Sequence, residues 1–174
     1  MEMKTKDLVL IAVLAALICV MAPFSVPIGA VPLSLATLAV YVVSSVTDVK
    51  HSLPAVCVYI LLGAVGVPVF SGFQGGLQKL VGLTGGYIFG YIPCALVIGL
   101  MLCRWGSKKW MWPVSMIAGT AVLYAFGTAW FVLESESTLV YALSVCVLPF
   151  LIGDGIKIVA ASLVAPILRR RITR

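Results

Sequence analysis

Six runs of apolar residues, at about 8–22, 33–46, 53–70, 83–103, 112–133 and 139–168, occupy most of this 174-residue chain. A helix needs about 20 predominantly apolar residues to cross the ~30 Å hydrocarbon core of a bilayer, and most of these runs approach or exceed that length. Hydrophobic residues make up 62% of the chain and charged residues 10%, against about 25% charged in an ordinary soluble domain. The expected fold is therefore an all-α integral membrane protein, a compact bundle of six transmembrane helices forming one domain over residues 1–174. The second run is short, so it must thin the bilayer, extend into its flanks or lie inside the bundle.

Charge sets the expected orientation. Of the twelve Lys and Arg residues, all but Lys79 and Lys157 fall before the first run, in the second or fourth loop, or after the last run: Lys4, Lys6, Lys50, Arg104, Lys108, Lys109, Arg169, Arg170, Arg171 and Arg174. The positive-inside rule makes that face, and both termini with it, cytoplasmic. The net charge of +6 then belongs to loops facing anionic membrane lipid, not to nucleic acid. A basic start followed by an apolar run also fits a cleaved signal peptide. Cleavage would leave an odd number of spans and strand the C-terminal arginines on the wrong side.

Metal and enzyme chemistry find little support. Cys19, Cys57, Cys94, Cys103 and Cys146 lie in or at the ends of apolar runs without a Cys-x-x-Cys pair, and His51 is the lone histidine; no metal site, cofactor or structural disulfide is expected. The glycine-rich segments 72–76 and 82–86 lack the Lys-Ser/Thr pair of a phosphate loop, so the chain is not expected to hydrolyse ATP. Nor do one histidine and six acids, mostly in loops, assemble a nucleophile with its base and orienting acid.

The exception to apolar monotony is Gly153-Asp154-Gly155-Ile156-Lys157 in the last run. A charged residue at the centre of a membrane helix costs roughly 2.5 to 3.5 kcal/mol on insertion scales. At i and i+3, carboxylate and ammonium share one helix face and offer acceptors and donors to a small polar ligand. At about 1.5 Å per residue from Arg169, Asp154 lies roughly 22 Å and Lys157 roughly 18 Å from the inner boundary. The bland alternative is an intrahelical ion pair that only fixes packing, although a buried pair is weak evidence for stability. A ligand site is favoured.

Two outer loops cover this region. The first, 23–32, has three prolines and no charge and is expected to be a stiff apolar cap. The second, 70–82, combines Gln74, Gln78 and Lys79 with several glycines and can fold back as a lid. Beneath them Thr37 and Tyr41 are spaced i, i+4, as are Tyr87 and Tyr91; interfacial tyrosines are common for amphipathic reasons alone. Three classes stay open on these grounds: a solute-binding transport subunit, an intramembrane enzyme and a small channel. The missing nucleophile set disfavours the second, and the glycine-rich lid the third.

The ordered segments Val31-Pro32-Leu33-Ser34-Leu35-Ala36-Thr37-Leu38-Ala39-Val40, Tyr59-Ile60-Leu61-Leu62-Gly63-Ala64-Val65-Gly66-Val67-Pro68-Val69-Phe70, Gly82-Leu83-Thr84-Gly85-Gly86-Tyr87 and Pro149-Phe150-Leu151-Ile152-Gly153-Asp154-Gly155-Ile156-Lys157 resemble the BioY family over nearly the whole chain. These are biotin-specific substrate-binding (S) components of energy-coupling-factor (ECF) transporters in prokaryotic plasma membranes. The resemblance implies capture of biotin from outside and its delivery inward, with no enzymatic activity. It also implies two kinds of partner, a transmembrane coupling (T) component and two cytoplasmic ATPases. On this reading Asp154 accepts ureido N–H bonds and Lys157 donates to an oxygen. Phe24, Phe70, Tyr41 and Tyr87 pack the rings, and Gln74 and Thr37 complete the hydrogen bonds. Ala12 and Ala16, small residues four apart, would dock the T component, as the family's Ala-x-x-x-Ala motif does; packing inside the bundle is the alternative. A different small vitamin remains the competing ligand.

Overall fold

The computed structural model describes residues 5–28, 31–106 and 108–172. Lys4, Arg174 and the loop residues Gly29 and Ala30 lie outside the described residues.

The first helix, α1 (Thr5–Met21), is free of Gly and Pro, carries Asp7 in its first turn and stops two residues before Pro23. Its buried residues Ile11, Leu14, Ala15 and Ile18 follow the i, i+3, i+4, i+7 spacing of one helical face. That face packs against α3 (Val49–Ala64) and α2 (Ala36–Val46). Eleven residues long, or about 16 Å, α2 cannot span a bilayer alone. It lies inside the bundle, with Ala39, Val40, Tyr41, Val43, Ser44 and Ser45 fully buried among α1, α3 and the helices of the fourth and sixth runs.

The cap expected at residues 23–32 is a departure from the all-helical reading. It forms an antiparallel hairpin of β1 (Ser25–Ile28) and β2 (Val31–Ser34), in register Ser25↔Ser34 and Pro27↔Pro32. Prolines cannot donate to a ladder and are tolerated because each strand of a two-stranded sheet is an edge. The Ser34 hydroxyl ties the hairpin down, donating to the Ala22 carbonyl at 2.6 Å and accepting from Ala36 N–H at 2.9 Å as α2 begins.

The third run also shifts. Its helix starts at Val49 and ends at Ala64, leaving residues 65–70, with Gly66 and Pro68, outside. The lid segment then pairs Phe70 with Gln74, contains a single turn of helix, α4 (Leu77–Val81), and is pinned to the first loop by Gly72 N–H donating to Pro23 O at 2.9 Å.

Next come α5 (Gly85–Trp105) and α6 (Met111–Ser135), the most closely packed pair. Glycines make the close approach possible: Gly86 receives Trp130, Gly90 receives Leu123, Gly119 receives Ile98 and Gly127 receives the Tyr87 ring. The sixth run is two helices, α7 (Leu139–Cys146) and α8 (Leu148–Ile172), separated at Val147. Pro149 explains the break. In a continuous helix its ring would meet the carbonyl of residue 145 and it could donate no hydrogen bond, whereas in the first turn of α8 neither matters.

Three helices, Gly85–Trp105, Met111–Ser135 and Leu148–Arg171, are long and apolar enough to cross a membrane. Outward-facing Leu100, Ile117, Leu133, Ile152, Ile156 and Leu163 are all more than half exposed, an apolar exterior suited to lipid and costly in water. This is a membrane protein.

Candidate functional site

The inward stripe of α8 runs Phe150, Asp154, Lys157, Ile158, Ala161, Ala165, all buried, while Ile152, Ile156, Val159 and Leu163 face out. Asp154 and Lys157 thus occupy positions where the rest of the stripe is apolar, at 3% and 8% exposure. Burial of either charge alone would be expensive, and the surrounding hydrogen bonds offset it.

Those bonds can be counted to completion. The Lys157 ammonium donates to Asp154 Oδ1 at 2.8 Å, to Thr37 Oγ1 at 2.8 Å and to the Ser34 carbonyl at 2.7 Å, which uses all three of its protons. Asp154 Oδ1 also faces the Thr37 hydroxyl at 3.2 Å, and Oδ2 accepts from the Tyr124 hydroxyl at 2.6 Å. The latter is a short, charge-assisted bond. A carboxylate has about four acceptor positions, so Oδ2 keeps one in reserve. Thr37 therefore both accepts from the ammonium and donates to the carboxylate.

Two small cavities lie in this region, and the first of them touches the pair. One, of about 40 Å³, is bounded by Leu33, Thr37, Leu123, Tyr124, Phe150, Asp154 and Lys157. The other, of about 30 Å³, reaches Tyr59, Ser71, Thr84 and Ile88. Val31, Pro32, Ser34, Tyr87 and Tyr91 line both, so the β2 strand and two tyrosines of α5 form their common wall. A wider outer groove of about 460 Å³ also touches Lys157; it runs between the hairpin and the lid past Phe24, Leu33, Leu35, Gly72 and Phe73.

Four of the residues singled out from the sequence, Asp154, Lys157, Thr37 and Tyr87, meet at these cavities. Four do not. Tyr41, fully buried, hydrogen-bonds Thr120 and lies off the cavity wall. The i, i+4 spacing with Thr37 put it on the right face but one turn too deep. Phe70 is a core residue, edge-on to Tyr59 with ring centroids 5.6 Å apart and seated against Gly63. Phe24 is half exposed in the outer groove, edge-on to Phe73 at 5.6 Å. Gln74 has an exposed side chain and takes part only through its backbone pairing with Phe70.

Tyr124, Phe150 and the Ser34 carbonyl were missed, and Tyr91, noted only for its spacing with Tyr87, lines both cavities. Tyr124 left a signal, because it falls at the centre of α6, far from either interface, where a phenol needs a partner. Tyr87 is held by the helix break: its hydroxyl donates to Cys146 O at 3.1 Å. Phe150 N–H bonds Val147 O instead of Cys146 O, so the interruption frees that carbonyl. On α1, Ala12 and Ala16 are exposed beside Val9 and Val13, on the face opposite Ile11 and Ala15. Among the described residues the cysteines are unpaired and no group of His, Cys, Asp and Glu is placed to hold a metal ion.

The sequence model of the BioY family matches residues 1–174. The chain belongs to the BioY family. Among its BioY relatives, the "Biotin transporter BioY" of Thermotoga maritima is 42% identical over 161 residues, covering 92% of this chain and 94% of that protein. The "Probable biotin transporter BioY" of Pyrococcus horikoshii is 35% identical, over 94% of this chain and 96% of that one. The fold agrees with a crystal structure of the S-component for biotin from an ECF-type ABC transporter. That match has a TM-score of 0.88 at 23% identity and covers 99% of this chain and 96% of the other. The BioY relatives are named as transporters, and no enzyme is among these matches.

Proposed function

We propose that this chain is the biotin-binding S component of an ECF-type transporter in a prokaryotic plasma membrane. It captures the vitamin from the external face and passes it inward with a T component and two ATPases. Relatives named as biotin transporters over more than nine-tenths of their length support the choice of vitamin. The observation that carries the reading is the buried Asp154–Lys157 pair with Thr37 between its ions.

A cyclic urea presents an N–H donor and a carbonyl acceptor side by side. The Thr37 hydroxyl does the same work toward this pair, donating to the carboxylate and accepting from the ammonium. Biotin's ureido edge replaces it, with the spare position on Asp154 Oδ2 available to a second polar contact. The ring faces then lie against Tyr87, Tyr91, Leu123 and Phe150. Cavities of about 40 and 30 Å³ fall well short of the ~300 Å³ at which ligand pockets begin. Binding therefore requires the β2 strand to lift, which merges them with the outer groove that already reaches Lys157. Phe24 and Gln74 belong to the moving cap and lid and hold no ring or ureido contact in this arrangement.

In the membrane, α1, α3, α5, α6 and the α7–α8 pair form five spans, and the short α2 together with the β hairpin that leads into it makes the sixth, with both termini cytoplasmic. The exposed Ala12 and Ala16 face offers the T component a close approach. Native mass spectrometry of the purified chain, followed by titration with biotin, tests the assignment. A co-purified mass of biotin is expected, and Asp154→Asn should weaken binding at least about tenfold, since a buried group deprived of its partner costs about 1 to 3 kcal/mol. A different vitamin's mass, or undiminished affinity in folded Asp154→Asn, defeats it.

A further inference from the structure

Far from the proposed vitamin site, the basic ends of α5, α6 and α8 enclose a cleft of about 760 Å³. Its rim carries Arg104, Lys109 and Arg170, and Arg169 stands at its side. Among the described residues it has no acidic lining, and Arg104, Lys109 and Arg170 form no ion pair. Arg169 is held in place: its guanidinium lies 5.9 Å from the Trp112 ring, with contacts of 3.4 Å to Ser45 O and to Asp48. Trp112 is fixed in turn by donating from Nε1 to Gly106 O at 3.2 Å. Trp112 and Pro113, in the first turn of α6, also line the cleft, as do the last turns of α5 and α8. A shallower depression of about 410 Å³ shares Lys109, Pro166 and Arg170, so the basic rim continues onto the flank of α8.

We infer that this cleft is a specific site for an anionic phospholipid, the cations holding the phosphodiester headgroup. Phosphate chemistry alone would also fit a free phosphate ester. The wall decides for lipid: Leu163 and Ile167, one turn apart, are 66% and 61% exposed and lead from the clefts down the apolar exterior of α8. Acyl chains continue there, whereas a soluble ester has nothing to place against them. Basic pockets between membrane helices are a known mode of headgroup binding.

The test uses the full chain in neutral detergent, titrated with dioleoylphosphatidylglycerol or dioleoylphosphatidylcholine and read by native mass spectrometry. The wild type should retain the anionic lipid at least about tenfold more tightly. The triple variant Arg104→Gln, Lys109→Gln, Arg170→Gln should lose that preference, and the control Lys50→Gln, Lys108→Gln should keep it. Arg169 stays intact because its contacts are structural. If the triple variant loses its helical circular dichroism, Arg104→Gln and Arg170→Gln singly should each reduce the preference. Equal retention of the two lipids overturns the inference, as does a preference that survives these substitutions. Displacement of the lipid by equimolar glycerol 3-phosphate would identify a soluble-anion site and overturn it too.

Discussion

At the scale of single residues, the buried pair behaves as one electrically neutral unit. Removing one member strands the other in apolar surroundings, so Lys157→Met should cost about 3 to 5 kcal/mol in thermal unfolding. Adding Asp154→Asn to it should restore part of that loss; a double variant less stable than Lys157→Met would disprove the coupling. Tyr124 positions the carboxylate from the opposite side. Tyr124→Phe deletes a bond of the charged class, worth about 1.5 to 3 kcal/mol, and should lower biotin affinity about tenfold in calorimetric titration, with unchanged affinity excluding a positioning role. The pair was legible in the sequence because ions in an apolar run have few innocent explanations. Its partners were less so. The Ser34 carbonyl is a backbone group that no residue type announces, and Tyr124, though its mid-helix phenol signals a need for a partner, carries nothing in the sequence that names Asp154 as that partner.

Elements show a similar division. Helix runs are set by apolar length and proline position, and α5 and α6 keep close to their expected bounds. The hairpin escaped notice because three prolines read as stiffness, and nothing local says that the two halves of the loop pair. How α5 meets α6 was also unreadable beforehand, since glycine spacing marks a possible contact without naming the knob that fills it. The structure supplies the knob: a Cβ on Gly127 would lie 2.5 Å from the Tyr87 ring. Gly127→Ala must therefore displace the Tyr87 ring that walls the cavities, with overpacking of about 1 to 3 kcal/mol. Weaker biotin binding with intact helical circular dichroism is expected, and wild-type affinity would show that Tyr87 can yield elsewhere.

For the whole molecule, the apolar runs and the family segments made the architecture legible, whereas the order of packing required coordinates. The central place of α2 follows from its brevity only once its neighbours are known. Helix α1 divides into a buried face and an exposed one that holds Ala12 and Ala16, and the proposed docking role belongs to the second. Ala12→Trp should leave biotin binding intact and abolish uptake in cells supplied with the T component and ATPases; loss of binding as well would mean that the bulk reached the interior. The interruption at Val147 has its own consequence. It turns the stretch 139–172 into two levers, the short one braced on α6 and the long one bearing the ion pair near its pivot and the arginines at its far tip. Tyr87 grips the short lever at its last carbonyl, so a wall of the cavities and the junction of the two levers stand one hydrogen bond apart.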